Sequence, residues 1–181
     1  MRRTSSALAL LVALAAAAYP ATALPARATT GYALIFDGGS TGTRVHIFEW
    51  RLNGAAAPTV HTKPAWNRKV TPGISSFADR PGAAGATLQP LIAFAQHIVP
   101  AHEQARCLVA LRATAGMRLL PPKKQARIYD SLFDAVAGSG TFAPTREDFG
   151  TLAGEQEGVF GWLSVNQLLD LGSAQLGEVG A

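Results

Sequence analysis

Cysteine is almost missing from this chain: Cys107 is the one thiol among 181 residues. A secreted domain usually pairs its cysteines, and this one has nothing to pair with. Cys107 sits in the apolar run Cys107-Leu108-Val109-Ala110-Leu111, the place of a small buried hydrophobe in a strand rather than of a reactive thiol. No His/Cys cluster has the spacing of a zinc site. Charge is sparse as well, with 16 Lys and Arg against 12 Asp and Glu, a net of +4. The basic residues are scattered, with no stripe and no interleaved aromatics, so a nucleic-acid partner is excluded. Beyond the N-terminal segment there is no internal repeat and no low-complexity stretch. At this length the chain holds one domain of ordinary size.

The longest apolar stretch, Ala7 to Ala18, is shorter than the ~20 residues a membrane-spanning helix needs. Arg2 and Arg3 precede it, Pro20 breaks it, and Ala21-Thr22-Ala23 and Ala26-Arg27-Ala28 offer small-x-small cleavage sites. That is the layout of a secretory signal peptide, expected over residues 1–28, with an uncleaved membrane anchor as the alternative.

The most informative stretch is Ile35-Phe36-Asp37-Gly38-Gly39-Ser40-Thr41-Gly42-Thr43-Arg44. Apolar residues from Tyr32 to Phe36 run into an acid and a glycine-rich turn, and Arg44-Val45-His46-Ile47-Phe48 follows. The pattern predicts a strand, a tight turn and a returning strand. Successive backbone N–H groups in such a turn form a concave anion site, and glycine lets an anion come close. An acid at the strand end sits where a hydrated divalent cation could lie beside that anion. There is no lysine and no following helix, so this is not the usual P-loop. Taken alone, the stretch also fits an ordinary hairpin turn.

Residues 53–58 are expected to loop, and Thr59 to Pro64 to add a short strand. Residues 71–82 are rich in Pro and Gly and read as a surface excursion. Leu88, Leu91, Ile92, Ala95, Ile98 and Val99 recur at helical spacing and end at Pro100. Cys107 to Leu111 reads as a buried strand. Pro121-Pro122 opens a helix whose apolar face is Ile128, Leu132, Phe133 and Val136, closed by Gly138 to Gly140. A last helix is predicted from about Glu155 to Leu169. Alternating strands and helices imply an α/β sheet packed by helices, made mixed by the opening hairpin.

Two further stretches carry chemistry. In Arg112-Ala113-Thr114-Ala115-Gly116-Met117-Arg118 a strand end delivers a hydroxyl and a glycine, and a helix beginning there would favour an anion. Thr114 is placed to hold a water or a phosphate oxygen, although Thr-Ala-Gly is also a common compact turn. In Gly154-Glu155-Gln156-Glu157-Gly158 two carboxylates open a helix. They suit either the helix dipole or a general base. A phosphate-cradling turn, a water-holding threonine and a carboxylate base together are the parts that phosphoryl transfer to water requires.

All three stretches, in this order, resemble the nucleoside di- and triphosphate diphosphohydrolase family, the apyrases. Its first motif is read as Asp37 to Arg44 and its second as Ala113 to Arg118. Its third is read as Glu157-Gly158-Val159-Phe160-Gly161-Trp162-Leu163-Ser164-Val165-Asn166. The resemblance implies an α/β fold of the actin and hexokinase (ribonuclease-H-like) kind, in which two lobes, each a mixed sheet flanked by helices, enclose a nucleotide. It also implies roles. Gly39, Ser40, Thr41 and Gly42 would bind phosphates, largely through backbone N–H. Asp37 would hold a water of a Ca2+ or Mg2+ ion. Thr114 would orient the attacking water, and Glu157 would deprotonate it. Glu155 and Arg112 are candidate helpers, while Trp162 and Asn166 would support the third helix. The implied substrate is a nucleoside di- or triphosphate in the secretory lumen or outside the cell, with a membrane involved only if the N-terminal segment is an uncleaved anchor.

The chain departs from the family pattern in three places. Gln156 stands where the family often has a second acid. Arg112 occupies a place that is glycine in many triphosphate-cleaving cell-surface members. With Val45 to Phe48 and Pro72 to Ala78, it resembles the soluble, Golgi-type diphosphatases, which implies substrates such as UDP and GDP. The family's fourth motif is not found before Ala181. Residues 29–181 are therefore expected to be the N-terminal lobe, inactive or very weak without a second. The alternatives are a non-catalytic nucleotide-binding lobe and a phosphotransferase of related fold.

Overall fold

The computed structural model describes residues 30–53 and 56–152. The predicted helix from Glu155 to Leu169 lies outside the described residues. Among the described residues six strands form one mixed sheet in the order β3-β2-β1-β5-β6, with β4 also on β2. They are β1 (Thr30–Gly38), β2 (Thr43–Asn53), β3 (Ala56–His61), β4 (Asn67–Val70), β5 (Leu108–Ala113) and β6 (Phe149–Thr151). The helices are α1 (Gln89–Ile98), α2 (Ala101–Gln104), α3 (Ala115–Arg118) and α4 (Pro122–Ala137).

β1 pairs antiparallel with β2 through the glycine-rich turn and parallel with β5, whose partner on its other side is β6, also parallel. Because β1 is central, its side chains are buried on both faces, which is why its sequence is a continuous apolar run. Leu34 and Phe36 join Val45, Ile47, Val109 and Leu111 on one face, and Ala33 and Ile35 join Phe48, Trp50 and Ala110 on the other. Leu91, Ile92 and Ala95 of α1, and Ile128, Tyr129, Leu132 and Val136 of α4, all pack on the first face. On the second, Trp50 lies over Gly31, where a methyl group would come within 2.5 Å of the indole ring. That glycine is required for the ring to seat.

The apolar periodicity located α1 and α4 closely. The hairpin and β5 also stand where the sequence placed them, with β5 running on to Ala113. The strand expected from Thr59 instead begins at Ala56 and ends at His61, taking in part of the predicted loop. The helix expected after Gly116 is a single turn, Ala115–Arg118. β4 and β6 were not legible: Asn67-Arg68-Lys69 are all exposed, and Phe149-Gly150-Thr151 is three residues around a glycine. The excursion expected over residues 71–82, with the residues up to Leu88, forms three successive 3-10 turns, Ile74–Phe77, Pro81–Ala83 and Gly85–Leu88. Ile74, Phe77, Ala84 and Leu88 bury their side chains in the core, so this excursion is anchored rather than loose.

Candidate functional site

The C-terminal ends of β1 and β5 lie side by side, with Gly38 opposite Ala113 and Asp37 opposite Arg112. The turn Gly39–Gly42 follows β1 directly and is closed by Gly39 N–H donating to Gly42 O at 3.0 Å. That bond occupies the Gly39 amide, so the turn's donors toward an anion are those of Ser40, Thr41 and Gly42. Thr114 continues β5 beside the turn, its N–H donating to Gly38 O at 3.3 Å. Its carbonyl accepts from Met117 N at 3.1 Å, while its side chain makes no capping bond to α3. One turn of helix has no appreciable dipole, so any anion preference at this corner comes from the amides of the β1–β2 turn and the hydroxyls, not from α3.

Two of the glycines are also needed for close packing of the protein on itself. A methyl group at Gly42 would lie 2.4 Å from Val70 O and 2.6 Å from Lys69 Cε. One at Gly38 would lie 2.9 Å from Ile74 Cδ1. These two admit β4 and the first 3-10 turn against the site. Lys69, on the strand that sequence reading missed, donates from Nζ to Thr41 Oγ1 at 3.2 Å and brings a positive charge to the turn.

Asp37 is flanked in register by Arg44 on β2 and Arg112 on β5. Arg112 is engaged: Nη1 donates to Asp148 O at 2.6 Å and, more weakly, to Glu147 O and Leu111 O. It holds the lead-in to β6 rather than pointing a free guanidinium at the turn. Arg44 Nε and Thr43 Oγ1 are buried with no hydrogen-bond partner, two unsatisfied polar atoms at the base of the turn. His46, the next residue on the Arg44 side of β2, is held down to about 4 by burial and by the Arg44 charge. Burial and the Glu103 charge push the Cys107 thiol well above its ordinary value, so it is no nucleophile.

β6 ends at the same corner. Thr151 pairs with Ala113, Leu152 N–H donates to Ala113 O at 2.9 Å, and Arg118 Nη1 donates to Leu152 O at 3.1 Å. Glu155 and Glu157 follow a few residues later and lie outside the described residues. Among the described residues no group of three His, Cys, Asp or Glu side chains could hold a metal ion, and no helix is long and apolar enough to cross a membrane. Asp37, the turn Gly39–Gly42, Thr114 and Arg112 are thus brought to one end of the sheet.

Compared with known proteins, a profile of the GDA1/CD39 (nucleoside phosphatase) family matches residues 24–176. The Golgi apyrase of Saccharomyces cerevisiae is 32% identical over 154 residues, covering 76% of this chain and 24% of that protein. The nucleoside-diphosphatase uda-1 of Caenorhabditis elegans is 35% identical over 144 residues, covering 77% and 30%. The guanosine-diphosphatase of Schizosaccharomyces pombe is 34% identical over 139 residues, covering 76% and 24%. This chain thus spans 24–30% of the length of these relatives. A crystal structure of nucleoside triphosphate hydrolases from Neospora caninum shares the fold, with a TM-score of 0.51 and 17% identity over 78% of this chain and 32% of that one.

Proposed function

The chain belongs to the GDA1/CD39 (nucleoside phosphatase) family, and from that membership we propose that the intact protein hydrolyses the terminal phosphate of nucleoside diphosphates such as UDP and GDP. Residues 29–181 form its N-terminal lobe and residues 1–28 its secretory signal, so it works in the secretory lumen or outside the cell. The observation that carries the reading is the convergence at one corner: Thr114 N–H bonds Gly38 O at the base of the glycine-rich turn, and Leu152 N–H bonds Ala113 O, one residue before Thr114.

The phosphoryl group lies against the amides of Ser40, Thr41 and Gly42, with Lys69 adding positive charge at the rim. The Thr114 hydroxyl orients a water in line with the scissile bond. Glu157 takes a proton from that water as its oxygen bonds phosphorus, and the bond to the leaving nucleoside monophosphate breaks without a phosphoenzyme. Asp37, the carboxylate beside the turn, fits a cation that keeps most of its waters and takes its other ligands from phosphate. Ca2+ or Mg2+ held there through water would neutralise phosphoryl charge. Arg112 serves by fixing β6, which leads the chain toward Glu157, and Glu155 is an auxiliary acid.

The test is Glu157→Ala in the intact protein. Phosphate release from UDP and GDP should nearly vanish while the circular dichroism spectrum and melting midpoint stay in place. Wild-type turnover by that variant would sink the assignment.

A further inference from the structure

We propose that Ser75 contacts the substrate: its hydroxyl donates a hydrogen bond to the terminal phosphoryl group lying against the glycine-rich turn. The proposal rests on the nucleotide-phosphatase reading and adds a residue to that site.

Three segments far apart in sequence meet here. The first is the turn itself. The second is the 3-10 turn Ile74–Phe77, and the third is the corner Thr114-Ala115-Gly116. Gly73 lies so close that a methyl group on it would sit 2.5 Å from Ser40 O and 2.6 Å from Gly39 O. The entry to the 3-10 turn is therefore in direct contact with the glycine-rich backbone. A methyl group on Gly116 would lie 3.0 Å from Ser75 Oγ and 3.5 Å from Ser40 Cα. Gly116 thus faces both the Ser75 hydroxyl and the Ser40 backbone, two residues beyond Thr114, which follows the end of β5.

The two serines of this turn differ in what their hydroxyls do. Ser76 is tied back, with both its N–H and its hydroxyl donating to Gly73 O, at 3.1 and 2.7 Å. Ser75 gives the turn only its carbonyl, which accepts from Ala78 N at 3.3 Å. Ser75 is half-buried, and its neighbours Ile74 and Phe77 are 0% and 6% exposed within the core. Those two anchors fix the direction in which the Ser75 side chain leaves the backbone. Phosphoryl oxygens only accept hydrogen bonds, and a rigidly carried hydroxyl is a donor that needs no counter-charge. The amides of the glycine-rich turn approach a phosphoryl group from one side, and the water that Thr114 orients approaches it from a second. Ser75 supplies the third.

The experiment compares wild type, Ser75→Ala and Glu157→Gln in the intact protein. It measures kcat/KM for UDP and GDP, the affinity for the non-hydrolysable α,β-methylene analogue of UDP, and the melting midpoint. Loss of one hydrogen bond to a charged group should lower kcat/KM of Ser75→Ala about ten- to a hundredfold and weaken analogue binding, with the midpoint unchanged. Full activity and affinity in Ser75→Ala, alongside an inactive Glu157→Gln, would overturn the role of Ser75 and leave the phosphatase reading standing. If the wild type binds the analogue but turns over no nucleotide, the catalytic reading fails and the affinity of Ser75→Ala alone decides for or against the contact. If the wild type neither binds nor hydrolyses, both are overturned. Should Ser75→Ala lose its fold, Ser75→Cys, of similar size with a weak donor, decides by the same readouts.

Discussion

Arg112 of β5 reaches along the sheet end to the Asp148 carbonyl, 2.6 Å from Nη1, with the Asp148 carboxylate 3.9 Å from Nη2. One guanidinium thus fastens the short strand β6 to the strand that carries Thr114. Replacing it with alanine removes a charge-assisted bond to a half-buried carbonyl and should lower stability by about 1.5–3 kcal/mol in a denaturant titration. Arg112→Lys should recover little, because an ammonium cannot reproduce the fork. If Arg112 instead touched phosphate, the alanine variant would raise KM and leave the unfolding midpoint where it was.

Thr114→Ala should lower kcat about 10²-fold with KM nearly unchanged, the signature of a misplaced nucleophile rather than of weakened binding. Thr114→Ser keeps the hydroxyl and should retain most of the rate. Steady-state phosphate release decides, and equal losses in both variants would assign Thr114 a packing role.

Gly42→Ala tests what that glycine is for. A methyl group there would come within 2.4 Å of Val70 O, so β4 must move. The expected cost is about 1–3 kcal/mol, as for other overpacked sites. Hydrogen exchange should accelerate at the amides joining β4 to β2. A variant as stable as the wild type would show that β4 yields freely.

His46 gives a pH dependence with a definite sign. Burial and the Arg44 charge hold its imidazole down to about 4, and its register neighbours Ile35 and Asn67 carry no charge to offset them. The unfolded chain, near 6.5, binds the proton first, so stability is complete above that value and is lost as pH falls from about 6.5 to about 4. His46→Gln should flatten this part of the stability curve. A native-state titration of His46 by NMR with a midpoint near 6.5 would contradict it.

The site was legible where it is built from local pattern and illegible where it is built from packing. Asp37, the glycine-rich turn and Thr114 announce themselves as strand ends that run into small residues. Lys69 could not be found that way: β4 is four residues, most of them exposed, with no alternation to mark a strand. Ser75 lay in plain view as a hydroxyl in a Pro- and Gly-rich stretch, but its position depends on contacts of Gly73 and Gly116 across the fold. The glycines were read as letting an anion come close; the close approaches at Gly38 and Gly42 that the fold adds are made by the protein itself.

The parallel pairing of β1 with β5 also sets an order of assembly. The turn and its two strands are contiguous, so a hairpin can close as soon as Phe48 has been made. The partner that brings Thr114 is made only after the 3-10 turns and α1. A ribosome therefore releases the glycine-rich turn well before the strand that sets Thr114 beside it.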